Sequence, residues 1–382
     1  MKQDHSLYFD YASTTPVSDA VYVAMRPYLQ EWFYNPSALY TAAKKTHAAL
    51  EASRKEIATE LQVRPAEVFF TAGSTEANNI VVHGVMQKYP QARVLCSVIE
   101  HDSVYVTAQQ YAHAHIPVGQ DGRLSIADAR ALITDDVVLV SCMSANNEIG
   151  TVQPIAELAA LVRDERERRI QEGIGLPIYL HTDASQSFQY IKLLPHELGV
   201  DFAVFGGSKI YGPKQSAVLY KKQGIEIPPL LHGGGQEYGV RSGTENVAAC
   251  IGLAAAVTET STLRSEEAHR LQKMQTRLFD ELVSRFGAEV QGSREHRLPN
   301  NVHVRFAGAD NEYLVMALDE HGIMAATGSA CHASSDEPSH VLRALGLDEA
   351  AMRECVRFSF GRHTTEAAID TLVARLADIL QP

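Results

Sequence analysis

Two neighbouring stretches, Ile178–Gln186 (IYLHTDASQ) and Phe202–Pro213 (FAVFGGSKIYGP), decide the fold. Each begins as a short, β-prone apolar run and ends in polar residues or glycines. That is how a strand buried on both faces of a parallel sheet reads. Its polar end then lies at the carboxyl edge, where open α/β sheets bind ligands. Working outward, the same kind of run recurs at Val68–Thr71, Val94–Val98, His115–Val118, Val137–Met143 and Ala217–Tyr220. Amphipathic segments lie between them, at Glu76–Lys88, Ser103–Ala112 and Ile155–Glu172. Alternating strands and helices predict a mostly parallel sheet covered on both faces. Only a short Gly-Pro turn precedes Ala217–Tyr220, which predicts an antiparallel last strand. Within the third helix, Arg163–Arg169 (RDERERR) reads as a solvated face with Glu165 and Arg169 at i,i+4 spacing.

Beyond about residue 262 the pattern changes. A helix over Ser265–Phe286 leads to short strands near Asn301–Arg305 and Val356–Phe360. Helices at Glu312–His321, Ser339–Leu345 and Thr365–Leu380 surround them, and a glycine-rich stretch, Gly233–Gly243, precedes the junction. This is the pattern of a smaller α+β domain.

Composition narrows the function. The 382 residues are 45% apolar and 21% charged, with a net charge of −12. Those values belong to a globular chain, and the acidic balance argues against nucleic-acid binding and against a basic membrane face. Apolar runs such as Val137–Val140 are strand-sized, and the opening MKQDHSLYFDY lacks the apolar core of a signal peptide. Five cysteines (Cys96, Cys142, Cys250, Cys331, Cys355) lie far apart, odd in number and without a CxxC pair. No disulfide scaffold or metal-ligand pattern follows from them, and a reducing cytoplasm is the expected setting.

Candidate chemistry sits at the strand ends. After Val68–Thr71, Gly73-Ser74-Thr75 opens a helix, and hydroxyls beside free backbone N–H groups at a helix start suit a phosphate. No GxGxxG or Walker pattern is present. Asp183 ends its strand, where a carboxylate can keep a ring nitrogen protonated or simply cap the next helix. Lys209 leaves an apolar strand through two glycines, where a lysine can be tuned for covalent chemistry. His101, between a strand and a helix, can stack on a planar ring or move protons. Asn147 also follows a strand, where its amide can bind a ligand oxygen. The segment around Cys331 is rich in Gly, Ser and Ala, which leave a thiol accessible as a nucleophile.

The order and joint spacing of these signals are specific. Tyr8–Pro16 (YFDYASTTP), Asn35–Ala38 (NPSA), FTAGSTEANN from Phe70, EHDSV from Glu100, NNEIGTVQP from Asn146, HTDASQS from His181, SKIYGPK from Ser208, GGGQEYGVRSGTEN from Gly233, GSAC from Gly328, EPSHVLRALG from Glu337 and VRFSFGR from Val356 fall in register along nearly the whole chain. The chain thereby resembles the cysteine desulfurases of the class V aminotransferase group, which use pyridoxal 5'-phosphate (PLP).

The resemblance implies a fold type I PLP-dependent transferase: an α/β fold with a large domain built on a mostly parallel seven-stranded sheet and a smaller α+β domain. The large domain would span residues 15–260, and the small one residues 1–14 and 261–382. It implies that Lys209 holds PLP covalently, Asp183 pairs with the ring nitrogen, Gln186 bonds the ring hydroxyl and His101 stacks on the ring. Ser74, Thr75 and Ser208 would take the phosphate, with Thr244 reaching it from the second subunit of a homodimer. Asn35, Asn147 and Arg357 would hold the substrate L-cysteine, Asn147 touching PLP as well, and Cys331 would take the sulfur as a persulfide and pass it to an acceptor protein, an iron–sulfur scaffold or another sulfur carrier. Selenocysteine lyase activity, or a non-catalytic binding subunit, are the alternatives on the same scaffold. The family usually has serine and histidine where this chain has Gly206 and Ser208. The chain also ends at Pro382, without the tail by which housekeeping members dock their scaffold protein.

Overall fold

The computed structural model describes residues 5–328 and 338–380. Its larger sheet has seven strands: β1 (Val68–Thr71), β2 (Arg93–Ser97), β3 (His113–Ile116), β4 (Val137–Ser141), β5 (Tyr179–Asp183), β6 (Phe202–Gly206) and β7 (Ala217–Lys221). Their order is β1-β7-β6-β5-β4-β2-β3. The pairs from β3 through to β6 are parallel, while β7 runs antiparallel to both β6 and β1. The expected antiparallel last strand is thus present. Two reversals return β1 to the direction of β6, so β1, β2, β4, β5 and β6 all end at one edge.

Helices α1 (Asp19–Gln30), α2 (Thr41–Leu61), α3 (Ser74–Lys88), α4 (Asp102–Ala108), α5 (Ile126–Leu132), α6 (Ile155–Glu172) and α7 (Pro195–Leu198) cover the sheet and link its strands. Side-chain alternation along β6 shows the layering. Ala203 and Phe205 face a core shared with Leu50 and Ile57 of α2 and Leu158 and Val162 of α6. Phe202 and Val204 face the opposite core, with Ile80, Val81 and Val85 of α3. Both faces are buried, as the near-continuous apolar strands require.

The charge run of α6 differs from expectation. Glu165 and Arg169 are buried, not solvated. Arg169 donates to Glu165 Oε1 at 2.6 Å and to the carbonyls of Thr134, Leu176 and Pro177. Its guanidinium satisfies three loop carbonyls, a use that local spacing does not reveal.

A single helix, α8 (Val247–Phe286), runs 40 residues, about 60 Å at 1.5 Å per residue. It starts well before the expected Ser265. Its first half packs on the large sheet through Leu253 and Val257, and its second half on the small one through Leu271, Leu278 and Leu282. The small antiparallel sheet has the order β10-β9-β8, from β8 (Glu289–Val290), β9 (Asn301–Arg305) and β10 (Cys355–Ser359). Helices α9 (Asn311–Asp319), α10 (His340–Ala344), α11 (Glu349–Met352) and α12 (Glu366–Leu380) complete this part. Phe9 is buried in the same core, edge-on to Phe358 and Phe360. Bridges Tyr8–Met324 and Asp10–Ser359 join the N-terminal segment to this layer.

Candidate active site

The loops after β1, β2, β4, β5 and β6 meet at the carboxyl edge of the sheet around a cavity of about 270 Å³. Ser74, Thr75, His101, Asn147, Asp183, Gln186, Ser208, Lys209 and Arg357 all line it. Nine residues picked from five loops and a strand of the other sheet therefore share one space. Asn35 and Thr244 are exposed and lie outside it. Asn35 Oδ1 accepts the Ser37 N–H at 2.9 Å, and Thr244 lines a different cleft, with Glu237, Arg241 and Cys250. Cys331 lies outside the described residues.

Asp183 is buried at the tip of β5, with each carboxylate oxygen held. Oδ1 accepts the Ser185 N–H at 2.8 Å and Oδ2 accepts Asn78 Nδ2 at 2.7 Å. Asn78 comes from α3 and also donates to Ser103 Oγ at 2.9 Å. Ser103 Oγ lies 2.9 Å from His101 Nδ1, which accepts the Ser103 N–H at 3.1 Å as the cap of α4. A ring nitrogen that accepts a backbone N–H carries no proton, so the neutral imidazole has its proton on Nε2. One chain of bonds thus fixes the tautomer of His101 and the orientation of Asp183. Sequence patterns pointed to neither Asn78 nor Ser103, although both lie inside the quoted FTAGSTEANN and EHDSV motifs.

Glu100, next to His101, is fully buried. Burial and the nearby Asp183 hold its carboxyl well above the usual carboxylate range, while the Met143 N–H donates to Oε1 at 2.5 Å.

Lys209 follows β6 in a single 3-10 turn, and its Nζ donates to the Ser13 carbonyl. Gln186 Nε2 donates to the Ala12 carbonyl at 2.9 Å. Arg357, on β10, is 1% exposed. It donates to the Asn147 carbonyl (2.7 Å), Asp10 Oδ1 (2.7 Å) and Ser13 Oγ (2.8 Å). The segment Tyr8–Pro16 therefore lines the site and anchors its guanidinium, a role that motif matching alone did not assign to Asp10 or Ser13.

At the start of α3, Ser74 Oγ accepts Ser185 Oγ at 2.8 Å. A Cβ added at Gly206 would lie 2.5 Å from Ser74 Oγ, so the Ser74 hydroxyl fills the space a larger residue there would need. These residues fit PLP: an amine, a fixed carboxylate, an imidazole with its proton on Nε2, and a 15-residue helix whose hydroxyl-bearing N-terminus opens on the same cavity.

The remaining thiols suit packing. Cys96, Cys142, Cys250 and Cys355 are free and buried. Burial pushes the first three well above the ordinary thiol value and Cys355 up to about 12. None is poised to act as a thiolate near neutral pH. Among the described residues no His/Cys/Asp/Glu cluster could hold a metal, and no helix is long and apolar enough to cross a membrane.

The aminotransferase class-V family model matches residues 7–372. The cysteine desulfurase IscS 1 of Archaeoglobus fulgidus is 36% identical over 381 residues, 98% of this chain and 97% of that protein. Of solved structures, a NifS-like protein superposes with a TM-score of 0.90 at 30% identity, covering 98% of this chain and 99% of its own. SspA in complex with cysteine superposes with a TM-score of 0.80 at 30% identity, covering 94% of this chain and 99% of its own. With the family model spanning almost the whole chain and relatives this similar from end to end, the protein belongs to the aminotransferase class-V family, as a homologue of the cysteine desulfurases.

Proposed function

We propose that the protein is a PLP-dependent cysteine desulfurase that converts L-cysteine to L-alanine and carries the released sulfur as a persulfide on Cys331. The observation that carries this reading is the convergence of Lys209, Asp183, His101 and Arg357 on one cavity in a chain that matches desulfurases over its full length.

Lys209 would hold PLP covalently, Asp183 would keep its ring nitrogen protonated, Gln186 would bond its hydroxyl, and Ser74, Thr75 and Ser208 would take the phosphate. Bound there, PLP supplies an electron sink at the substrate Cα. Arg357 and Asn147 orient the cysteine carboxylate, the guanidinium being already aimed by Asp10. His101 Nε2, and Lys209 Nζ once its amine is free, move protons at the substrate carbon. The Cys331 thiolate attacks the cysteine sulfur. The S–S bond forms as the Cβ–S bond breaks, and its electron pair stays on carbon, which takes a proton and leaves as alanine. Ala326, five positions before Cys331 in the sequence, is bonded backbone to backbone with Arg357 at 2.7 and 3.2 Å.

A homodimer belongs to this reading. Phe33, Leu39 and Tyr40 are exposed, Leu39 by 87%. Leu39 and Glu245, the latter next to Thr244, line one cleft. An apolar face of this kind suits a second copy, which Thr244 and Asn35 would then serve in trans. The acceptor of the persulfide sulfur would be a sulfur-carrying protein, and the cytoplasm is the compartment that keeps such thiols reduced.

The test is incubation of the purified protein with PLP and L-cysteine. The parent is expected to release alanine and to gain one sulfur at Cys331 by mass spectrometry. Cys331→Ser should still change its visible spectrum with cysteine but form no persulfide, and Lys209→Ala should lose covalent PLP. Persulfide on Cys96 or Cys355 instead, or none in the parent, would sink the reading.

A further inference from the structure

We infer that Glu148 is a positioning residue for sulfur pick-up: its carboxylate fixes the helix that follows residues 329–337 to the loop presenting Asn147. The inference rests on the desulfurase reading with Cys331 as the receiving thiol. Glu148 sits beside Asn147 and is 1% exposed. Its Oε2 accepts Ser339 Oγ at 2.6 Å, an interaction across 191 positions of sequence. Ser339 is the N-cap of α10 and also accepts the Leu342 N–H at 3.2 Å.

The upstream side converges on the same atom. A Cβ built at Gly328 would lie 3.5 Å from Glu148 Oε2. Two residues earlier, Ala326 is paired with Arg357. The described chain on either side of residues 329–337 therefore meets at one buried carboxylate oxygen. Glu148 is itself held rigidly. Its N–H donates to Asn146 Oδ1 at 2.8 Å, and its carbonyl accepts Asn301 Nδ2 from β9, also at 2.8 Å.

The docking of α10 reaches the other catalytic loop as well. His340 Nε2 donates to the Glu100 carbonyl at 2.9 Å, and its ring stacks on Tyr105 of α4. Val341 and Leu342 pack with Ile99 and Ile149. The helix thus sits behind the loops that present His101 and Asn147. Burying a carboxylate is costly unless it is bonded, so a buried Glu whose partner is the cap of this short helix is an expensive way merely to hold a surface turn. It is well suited to fixing where the following and preceding chain emerge relative to bound cysteine.

The test separates geometry from helix capping. Ser339→Asp keeps a good N-cap but sets two carboxylates against each other. In the holoenzyme it should slow single-turnover persulfide formation at Cys331 about ten- to a hundredfold. The cysteine concentration that half-saturates the visible spectral change should stay within about twofold, since neither Arg357 nor Asn147 is altered. Adding Glu148→Gln restores a donor opposite the new carboxylate and should recover most of the rate. Ser339→Ala, should Ser339→Asp fold poorly, should lose rate in the same direction but less, and Ser339→Thr should keep it. Parent rates in Ser339→Asp and Ser339→Ala, equal loss of cysteine binding, or no recovery in the double variant would overturn the inference while the desulfurase reading stands. A parent that forms no persulfide at Cys331 would overturn both.

Discussion

Gly206 shows how one residue's missing side chain is offset by another's. The family pattern places a hydroxyl there, and this chain has none. The Ser74 hydroxyl occupies that space and accepts a hydrogen bond from Ser185, on the loop after β5. With Ser185 donating, the proton of Ser74 is directed away from it and stays available for a phosphate oxygen. A neutral hydrogen bond is worth about 1 kcal/mol, roughly a fivefold change in an equilibrium. Ser185→Ala is therefore expected to release PLP about fivefold faster on dialysis, followed by the loss of visible absorbance. An unchanged rate would mean that Ser74 does not hold the phosphate.

At the scale of elements, a buried fork joins α2, β1 and the turn before α8. Arg54 Nη1 and Nη2 donate to Glu237 Oε2 and Oε1 at 2.7 and 2.8 Å, and the Phe70 N–H of β1 donates to Oε2 at 2.8 Å. Glu237 and Tyr238 are both left-handed, with φ of 47° and 53°. Such a backbone persists only when its surroundings hold it, and here the bidentate pair does so. Removing one partner leaves an unpaired buried charge, which costs about 3–5 kcal/mol. Arg54→Met should lower unfolding stability in urea by that amount, and Arg54→Met with Glu237→Leu should recover most of it. If the double variant is as unstable as the single, packing rather than charge carries the effect.

The whole molecule carries an acid-sensitive term in both of its sheets. His181 in β5 and His303 in β9 are fully buried. Burial pushes His181 down to about 4, and burial with Arg297 and Arg357 nearby pushes His303 down to about 3, from an ordinary 6.5. Below 6.5 the unfolded chain takes up protons that the native state refuses, so stability is complete above that pH and falls as pH drops toward 4 and 3. Each site contributes about 1.4 kcal/mol per pH unit in that window. Together they are expected to cost roughly 3 kcal/mol between pH 6.5 and 5. Denaturant titrations at the two pH values measure this. His303→Met, at a position where neither ring nitrogen has a partner, should remove about half of the slope. A stability that rises on acidification would contradict the assignment.

The elements legible in the sequence are those set by consecutive residues. All seven strands of the large sheet were marked by local apolar runs, and Asp183, Lys209 and His101 by their places at strand ends, because a strand's burial and its polar terminus are written within about ten residues. The helices α1 and α2 escaped that alternation. So did the long reach of α8 and the burial of Arg169, whose partners come from separate loops. The site was legible as a set of residues, not as a network. Asp10 with Arg357, Asn78 with Asp183 and Ser339 with Glu148 are separated by 347, 105 and 191 positions. A buried polar group must find a partner, but which distant segment supplies it is decided only when the layers pack. The sequence alone thus determined which side chains could do the chemistry, and tertiary packing decided how each is held, since a hydrogen bond depends on distance in space rather than along the chain.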